Sequence, residues 1–381
     1  MGTPRRPGGP GGVSCLAGKR LRKRIHHRRR RRLARPINRL DKPVFTCIVT
    51  DYVEPDLEWE AAQYRAAGIA FEALQLRGAA PADLAQRVAT ADVLIVDQAT
   101  ITAEVIDAMT RCRLIIRHGD GYDNLDLAAA TAQGIVCANK PGFWSREVAE
   151  LALGLSLALC LRLPEQQRVA AAPLPEGGWD LARAMPQRSI AGMTVGVLGY
   201  GKIGRHAVRL FRAVCERVLV HDPAVPHADI LSAGAVPATL DHLLSQSDIV
   251  TMHVPATSET IRLFDHDRIS RMKPGALLVN TSRGPIVDTD ALVAALERGH
   301  LAGAGLDVTS PEPLPPTHPL FSFSNVIVTP HLGWYSEDAM GNMRRSIVAD
   351  VISAAGGTPP ATIVNPDVLD TPGLRFGKAS S

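Results

Sequence analysis

The sequence predicts an α/β protein built on two doubly wound parallel sheets. Three observations carry that expectation. Short apolar runs alternate with stretches of helical period, the rhythm of a parallel sheet flanked by helices. The alternation occurs twice, interrupted by one long apolar helix and a Pro/Gly-rich stretch. The length of 381 residues, 46% apolar and 21% charged, is enough for two cores of ordinary size.

The first series reads strand 45–49, helix 59–67, strand 71–74, helix 82–88, strand 93–96, helix 103–109, strand 114–117, helix 125–133 and strand 135–138. Val93-Leu94-Ile95-Val96 is apolar throughout, as a strand covered on both faces must be. A long helix over 145–161 follows; its apolar run from Leu151 to Leu161 lies between Glu150 and Arg162 and is about half the length of a membrane span. No membrane role is expected. Beyond Pro164 and the stretch Pro173 to Gly178, strands are expected at 194–198, 218–221, 249–253, 276–280, 303–307 and 326–329. A last helix over 337–355 precedes a short polar end.

Charge separates the start of the chain from the rest. Residues 1–42 hold 15 of the 42 Lys and Arg against one acid, Asp41, which leaves 27 bases against 37 acids, about −10, for the remainder. An acidic body argues against a nucleic-acid-binding protein. The basic segment, with its Gly/Pro runs and Arg28 to Arg32, reads as a disordered tail. A polyanion-binding arm or a targeting segment are the functional alternatives, but no apolar run follows the arginines as in a secretory signal. Six cysteines (15, 47, 112, 137, 160, 215) show no metal-ligand spacing and suit reduced, mostly buried thiols in the cytoplasm. No metal site is expected.

The strand at 194–198 runs directly into Gly199-Tyr200-Gly201-Lys202-Ile203-Gly204 and then into a helix. Three glycines at this spacing permit a tight turn, close approach of a pyrophosphate and packing of helix on strand, while the helix N-terminus offers N–H groups to phosphate. The next strand ends at Asp222, where a carboxylate can accept both ribose hydroxyls and repels a 2′-phosphate. NAD is therefore expected rather than NADP, the plainer alternative being an Asp that caps its own loop.

Three polar residues follow the ends of successive apolar strands: Arg283 after 276–280, Glu312 after 303–307 and His331 after 326–329. In open α/β sheets the ligand crevice lies at these carboxyl ends. Reducing a 2-keto acid needs a cation that grips the carboxylate and an acid that protonates the carbonyl oxygen as hydride reaches the adjacent carbon. Arg283 suits the first task and His331 the second, with Glu312 stabilising the imidazolium.

In this order the motifs resemble the D-isomer-specific 2-hydroxyacid dehydrogenase family, over nearly everything from Phe45 to Asn365. The likeness rests on the glycine motif with Asp222, Met252-His253-Val254-Pro255, Lys273-Pro274-Gly275, Asn280-Thr281-Ser282-Arg283-Gly284, Leu306-Asp307-Val308, Glu312-Pro313 and Thr329-Pro330-His331. It implies a flavodoxin-like substrate domain made of residues 43–143 and 332–381, with a Rossmann NAD domain, 144–331, inserted between. It also implies a hinge, and a homodimer formed through the long helix. His253, Pro255, Thr281 and Asp307 would join the glycine loop, Lys202 and Ile203 in holding NAD, Asp307 at the nicotinamide carboxamide. Gly119, Asp120 and Gly121 would meet the substrate carboxylate, chiefly through backbone.

The segment Trp334-Tyr335-Ser336-Glu337 after the His is similar to the branch that contains the C-terminal-binding proteins, NAD-dependent corepressors. It makes Trp334 a candidate substrate contact, or else a core aromatic at a helix start. The corepressor likeness keeps open a second reading, an NAD-sensing regulator with little catalysis. A formate dehydrogenase of the same architecture fits less well, since those relatives carry Gln in place of Glu312. Asp120 departs from the family pattern: beside a substrate carboxylate its charge is repulsive, so either it points away or the substrate carries a compensating group.

Overall fold

The computed structural model describes residues 44–376. The tail expected over residues 1–42, Cys15 within it, lies outside the described residues.

Five strands, β1 (Thr46–Val49), β2 (Ala70–Ala73), β3 (Val93–Val96), β4 (Leu114–Arg117) and β5 (Val136–Ala138), form an all-parallel sheet in the order β2-β1-β3-β4-β5. Seven more form a second parallel sheet in the order β12-β11-β10-β9-β6-β7-β8. They are β6 (Thr194–Leu198), β7 (Arg217–His221), β8 (Val236–Pro237), β9 (Ile249–Met252), β10 (Ala276–Asn280), β11 (Leu301–Leu306) and β12 (Val326–Val328). The first order is that of flavodoxin-like sheets and the second that of dinucleotide-binding sheets. Strand order reverses between β1 and β3 and again between β6 and β9, and a crevice opens at such points.

On one face of the first sheet Ile48, Leu94, Val96 and Ile115 pack against Leu84, Val88, Val105 and Ile106 of the flanking helices. On the other face Val49, Ile95 and Ile116 meet Met343, Ile347 and Val351 of the helix Glu337–Ala355. The chain thus returns to its first sheet after completing the second, and two ion pairs, Lys140 with Asp350 and Arg344 with Glu60, fasten the returning helix. The helix Ser145–Cys160 serves both cores: Val148 packs with the first sheet, and Ala152, Leu155 and Leu159 pack with the second.

Two regions hold helices that the sequence pattern did not delineate. The residues after Leu161 form a further helix, Leu163–Ala171, in which Pro164 falls in the first turn where its missing N–H has no intrahelical partner to lose. Four helices of the second half, His227–Ser232, Leu240–Gln246, His266–Ser270 and Thr289–Glu297, were not delineated from sequence; at five to nine residues they complete too few turns to display a period. Cys47, Cys112, Cys137 and Cys160 are buried free thiols and Cys215 is partly exposed. Burial pushes the Cys112 and Cys137 thiols up to about 12, so both are unreactive. No helix among the described residues is long and apolar enough to cross a membrane.

Candidate active site

The glycine turn has the geometry its spacing implies. Gly199 leaves β6 with φ of +90°, and a Cβ there would lie 2.6 Å from the His253 carbonyl oxygen. At Gly204 a Cβ would collide with the Gly199 carbonyl, so the helix Lys202–Arg212 closes on the turn only with glycine at both places. Gly201 precedes the helix with open space at its Cα, and the first-turn N–H groups at Lys202 and Ile203 have no intrahelical acceptor. Asp222, at the end of β7, accepts from Tyr200 N at 2.7 Å and from Ala224 N at 2.9 Å. It therefore braces the turn and caps its own loop as well.

A cleft of about 510 Å³ opens between the carboxyl ends of the two sheets. From the second sheet come His253 and Pro255 after β9, Thr281 and Arg283 after β10, Asp307 after β11 and His331 after β12. From the first come Asp97, Arg117, His118 and the segment Gly119 to Asp123; apolar side chains, among them Trp144, Val148, Ile203, Val254 and Trp334, line it as well. The glycines of the turn, Lys202, Asp222 and Glu312 lie outside this lining. Three buried polar atoms of the lining, Arg117 Nε, His253 Nδ1 and Thr281 Oγ1, have no hydrogen-bond partner among the described residues. Burial pushes the His253 imidazole down to about 4, so it is neutral, with Nε2 3.1 Å from Thr251 Oγ1. Orphaned polar atoms beside a glycine turn, with a carboxylate at the next strand end, fit an adenine dinucleotide laid across the switch point.

Arg283 is set by Asn280, whose wholly buried amide accepts from Ser282 N and donates to the Arg283 carbonyl. The guanidinium donates to the Ser282 carbonyl at 2.8 Å, and its Nε is 3.4 Å from Asp123 Oδ2. It also lies against Gly121, where a Cβ would overlap Nη2 and stand 3.1 Å from Cζ. His331 Nδ1 is 2.6 Å from Glu312 Oε1. Because an ionised carboxylate only accepts, Nδ1 carries the proton and Nε2 is the remaining reactive nitrogen. Burial pushes the Glu312 carboxyl up, but His331, Thr309 N at 3.1 Å and nearby Arg283 outweigh it and hold it below the usual range.

His331 adopts a left-handed backbone, φ 55°, unusual for a residue with a side chain. Buried Asp307 holds it there: one oxygen accepts from Thr329 Oγ1 at 2.6 Å and Leu332 N at 3.0 Å, the other from Gly333 N at 2.9 Å. The expected contact of Asp307 with nicotinamide is thus left with about one free acceptor position. Trp334 donates its indole N–H to the His331 carbonyl at 2.7 Å, packs edge-on against Trp144 and lines the cleft. Asp120 turns Oδ1 to Gly142 N at 2.8 Å. Gly119 N–H donates to the Arg117 carbonyl and its carbonyl accepts from Lys140, so for an anion it is the Asp120 and Gly121 amides that remain.

Sequence reasoning passed over Asp97, His118 and the side chain of Arg117. The rule that picked out Arg283 and His331 finds them when applied to the first sheet, since Asp97 follows β3 and Arg117 ends β4.

These features describe an α/β protein of the dinucleotide-binding class with a cleft of mixed polar and apolar lining beside the glycine turn. Residues 153–333 match the model of the D-isomer specific 2-hydroxyacid dehydrogenase NAD binding domain. The chain is 36% identical over 280 residues to a glyoxylate reductase of Thermofilum pendens, covering 71% of this chain and 79% of that protein. It is 36% identical over 284 residues to a D-3-phosphoglycerate dehydrogenase of Archaeoglobus fulgidus, covering 74% of this chain but 53% of the relative, so it spans about half that protein's length. A D-lactate dehydrogenase of Aquifex aeolicus, solved with NAD and lactic acid, superposes with a TM-score of 0.73 at 27% identity, covering 84% of this chain and 99% of that one. The chain belongs to the D-isomer-specific 2-hydroxyacid dehydrogenase family and contains its NAD-binding domain. The likeness to the corepressor branch rests on the segment from Trp334 to Glu337 alone.

Proposed function

We propose that this protein is an NAD-dependent dehydrogenase that interconverts a small 2-keto acid and the D-2-hydroxy acid. The observation that carries the reading is that His331, paired with Glu312 at 2.6 Å, lines one cleft with Arg283. Gly199, Gly201, Gly204, Lys202 and Ile203 would hold the pyrophosphate, Asp222 the adenosine ribose, and His253, Pro255, Thr281 and Asp307 the nicotinamide end. Bound NADH supplies the hydride that reaches C2. Arg283 grips the substrate carboxylate with the Asp120 and Gly121 amides beside it. His331 Nε2 delivers a proton to the carbonyl oxygen, so the keto group gains one hydride and one proton, and solvent reprotonates the ring. Glu312 orients that ring and stabilises its positive charge. In the oxidative direction the same nitrogen accepts the hydroxyl proton.

Residues 43–143 with 332–381 form the substrate part in this reading and 144–331 the coenzyme part, joined by a hinge. A homodimer is supported by large apolar side chains left exposed just beyond the long helix: Leu161, Leu163, Trp179, Leu181 and Met185 are 39%, 46%, 56%, 56% and 57% exposed. Free cysteines accord with a reducing cytoplasm. The test is NADH oxidation, followed by absorbance, with a panel of 2-keto acids for the wild type and His331→Ala. Turnover that falls by about 10²-fold or more in the variant supports the reading. NADH binding without turnover of any member replaces it with the NAD-sensing regulator.

A further inference from the structure

The cleft has two walls, and the roles above use mainly one. His253, Thr281, Arg283, Asp307 and His331 all come from the second sheet. The opposite wall, at the carboxyl ends of β3 and β4, presents His118 and Arg117, which no step of the reaction requires; Asp97 pairs with Arg117 within the cleft, and Glu54 pairs with His118 from outside it. His118 Nε2 is 3.3 Å from Glu54 Oε1, and Arg117 Nη1 is 3.5 Å from Asp97 Oδ1. Both pairs are largely withdrawn from solvent, with side-chain exposures of 13% and 4% for the first and 20% and 11% for the second. Glu54 is fixed by a bond from Val53 N at 3.0 Å. Burial pushes its carboxyl up, but the partnership with His118 outweighs this and keeps it ionised.

With the substrate carboxylate on Arg283 and C2 facing His331, the remaining part of the molecule, beginning at C3, has this wall to meet. We propose that His118, backed by Glu54, and Arg117, backed by Asp97, read the C3 substituent and select a 2-keto acid with a neutral hydrogen-bonding group there, a 3-hydroxy-2-keto acid. The inference rests on the dehydrogenase reading and deepens it.

Two exclusions follow from the same residues. An alkyl chain against this wall takes water from His118 and Arg117 and returns no hydrogen bond, and a site built to bond a hydroxyl discriminates strongly against an analogue that lacks one. A phosphate is disfavoured on charge. Arg117 already faces Asp97, Arg283 is taken by the carboxylate, and Asp97, Asp120 and Asp123 line the same cleft. A phosphoryl group of charge about −1.5 to −2 would meet these three carboxylates in a lining where each arginine already faces an acid. This separates the chain from the phosphoglycerate dehydrogenases it is similar to.

The experiment compares kcat/KM for hydroxypyruvate, pyruvate, 2-ketobutyrate, phosphohydroxypyruvate and glyoxylate in the wild type, His118→Ala and His118→Gln. Glyoxylate has no C3, so it reports the reaction itself. The ratio of hydroxypyruvate to pyruvate is read on one preparation and does not depend on the folded fraction. The expected wild-type ratio is about 30 or more, with phosphohydroxypyruvate the poorest three-carbon substrate. In His118→Ala the ratio falls about tenfold or more, and the amide donor of His118→Gln restores part of it. A wild-type ratio near one, or a preferred phosphorylated acid, overturns the proposal without any variant. A high ratio that neither substitution changes removes His118 from it. Failure of every acid, glyoxylate included, overturns the dehydrogenase reading and this proposal with it, whereas glyoxylate turnover without a C3 preference sinks only the proposal.

Discussion

Replacing Gly121 with alanine separates the position of Arg283 from the stability of the fold. Gly121 has no positive φ, so its backbone accepts a side chain without strain. The added Cβ would overlap Arg283 Nη2 and stand 3.1 Å from Cζ. To regain van der Waals separation the guanidinium retreats by roughly 1.5 Å, easily done by the end of a flexible side chain. The cost to folding is therefore small, and the lost freedom of the unfolded chain offsets it by about 0.4–1 kcal/mol. The cost to catalysis is larger, because a displacement of about 1 Å in a positioning group lowers rates on the order of 10²-fold, some 2.7 kcal/mol. Steady-state kinetics should show kcat/KM for the keto acid down about 10²-fold while KM for NADH is kept, and calorimetry a Tm within about 2 °C of the wild type. A kcat/KM within about threefold of the wild type, at unchanged Tm, would refute the assignment of Arg283 as the group that grips the carboxylate from this position.

Three further perturbations address other parts of the molecule. In Glu312→Gln the ring keeps a hydrogen-bond acceptor but loses the charge; kcat/KM for reduction near pH 7 should fall about tenfold, the half-exposed pair being partly screened, with KM for NADH kept, and an unchanged kcat/KM would argue that Glu312 only orients the ring. Asp222→Asn preserves an acceptor for Tyr200 N while removing the charge, so the preference for NADH over NADPH in kcat/KM should fall about tenfold; an unchanged preference would place the ribose elsewhere. Asp248, buried, accepts from Thr194 N at 3.0 Å, Arg188 at 2.9 Å and Lys273 at 2.7 Å; burial pushes its carboxyl up, but these partners hold it below the ordinary carboxylate value. A depressed folded value gives stability that is present above the unfolded value and lost as pH falls through the folded one. Asp248→Asn should therefore cost about 1–3 kcal/mol near pH 7 and progressively less toward pH 3, and a gap in Tm that widens on acidification would reverse this sign.

The strands were legible because parallel sheets bury both faces: Val93 to Val96 reads as a strand with no knowledge of its neighbours. The glycine turn was legible because its chemistry is local, with turn, cap and close approach falling within six consecutive residues. Arg283, Glu312 and His331 could be proposed because strand ends in such sheets share one rim. What stayed hidden depends on distant pairs. Nothing near Asp120 in sequence reveals that its carboxylate turns to Gly142 N, and nothing near Asp307 reveals that three donors from residues 329–333 use it to hold His331. His118 and Glu54 are 64 positions apart and meet only once β1 and β4 flank β3 in the sheet.

The contact between Arg283 and Asp123 gives the cleft a resident counter-ion. A ligand carboxylate arriving at Arg283 exchanges one anion for another, so its affinity is a difference between two ion pairs. The resident partner is weak: Asp123 is 69% exposed, its separation of 3.4 Å is long, and pairs of this kind are worth at most about 1 kcal/mol. Exchange into the cleft is therefore favourable but shallow, and as product departs a carboxylate on the same rim returns to the guanidinium. Such an arrangement favours rapid release over tight retention, because the cation is never left bare in a half-buried site.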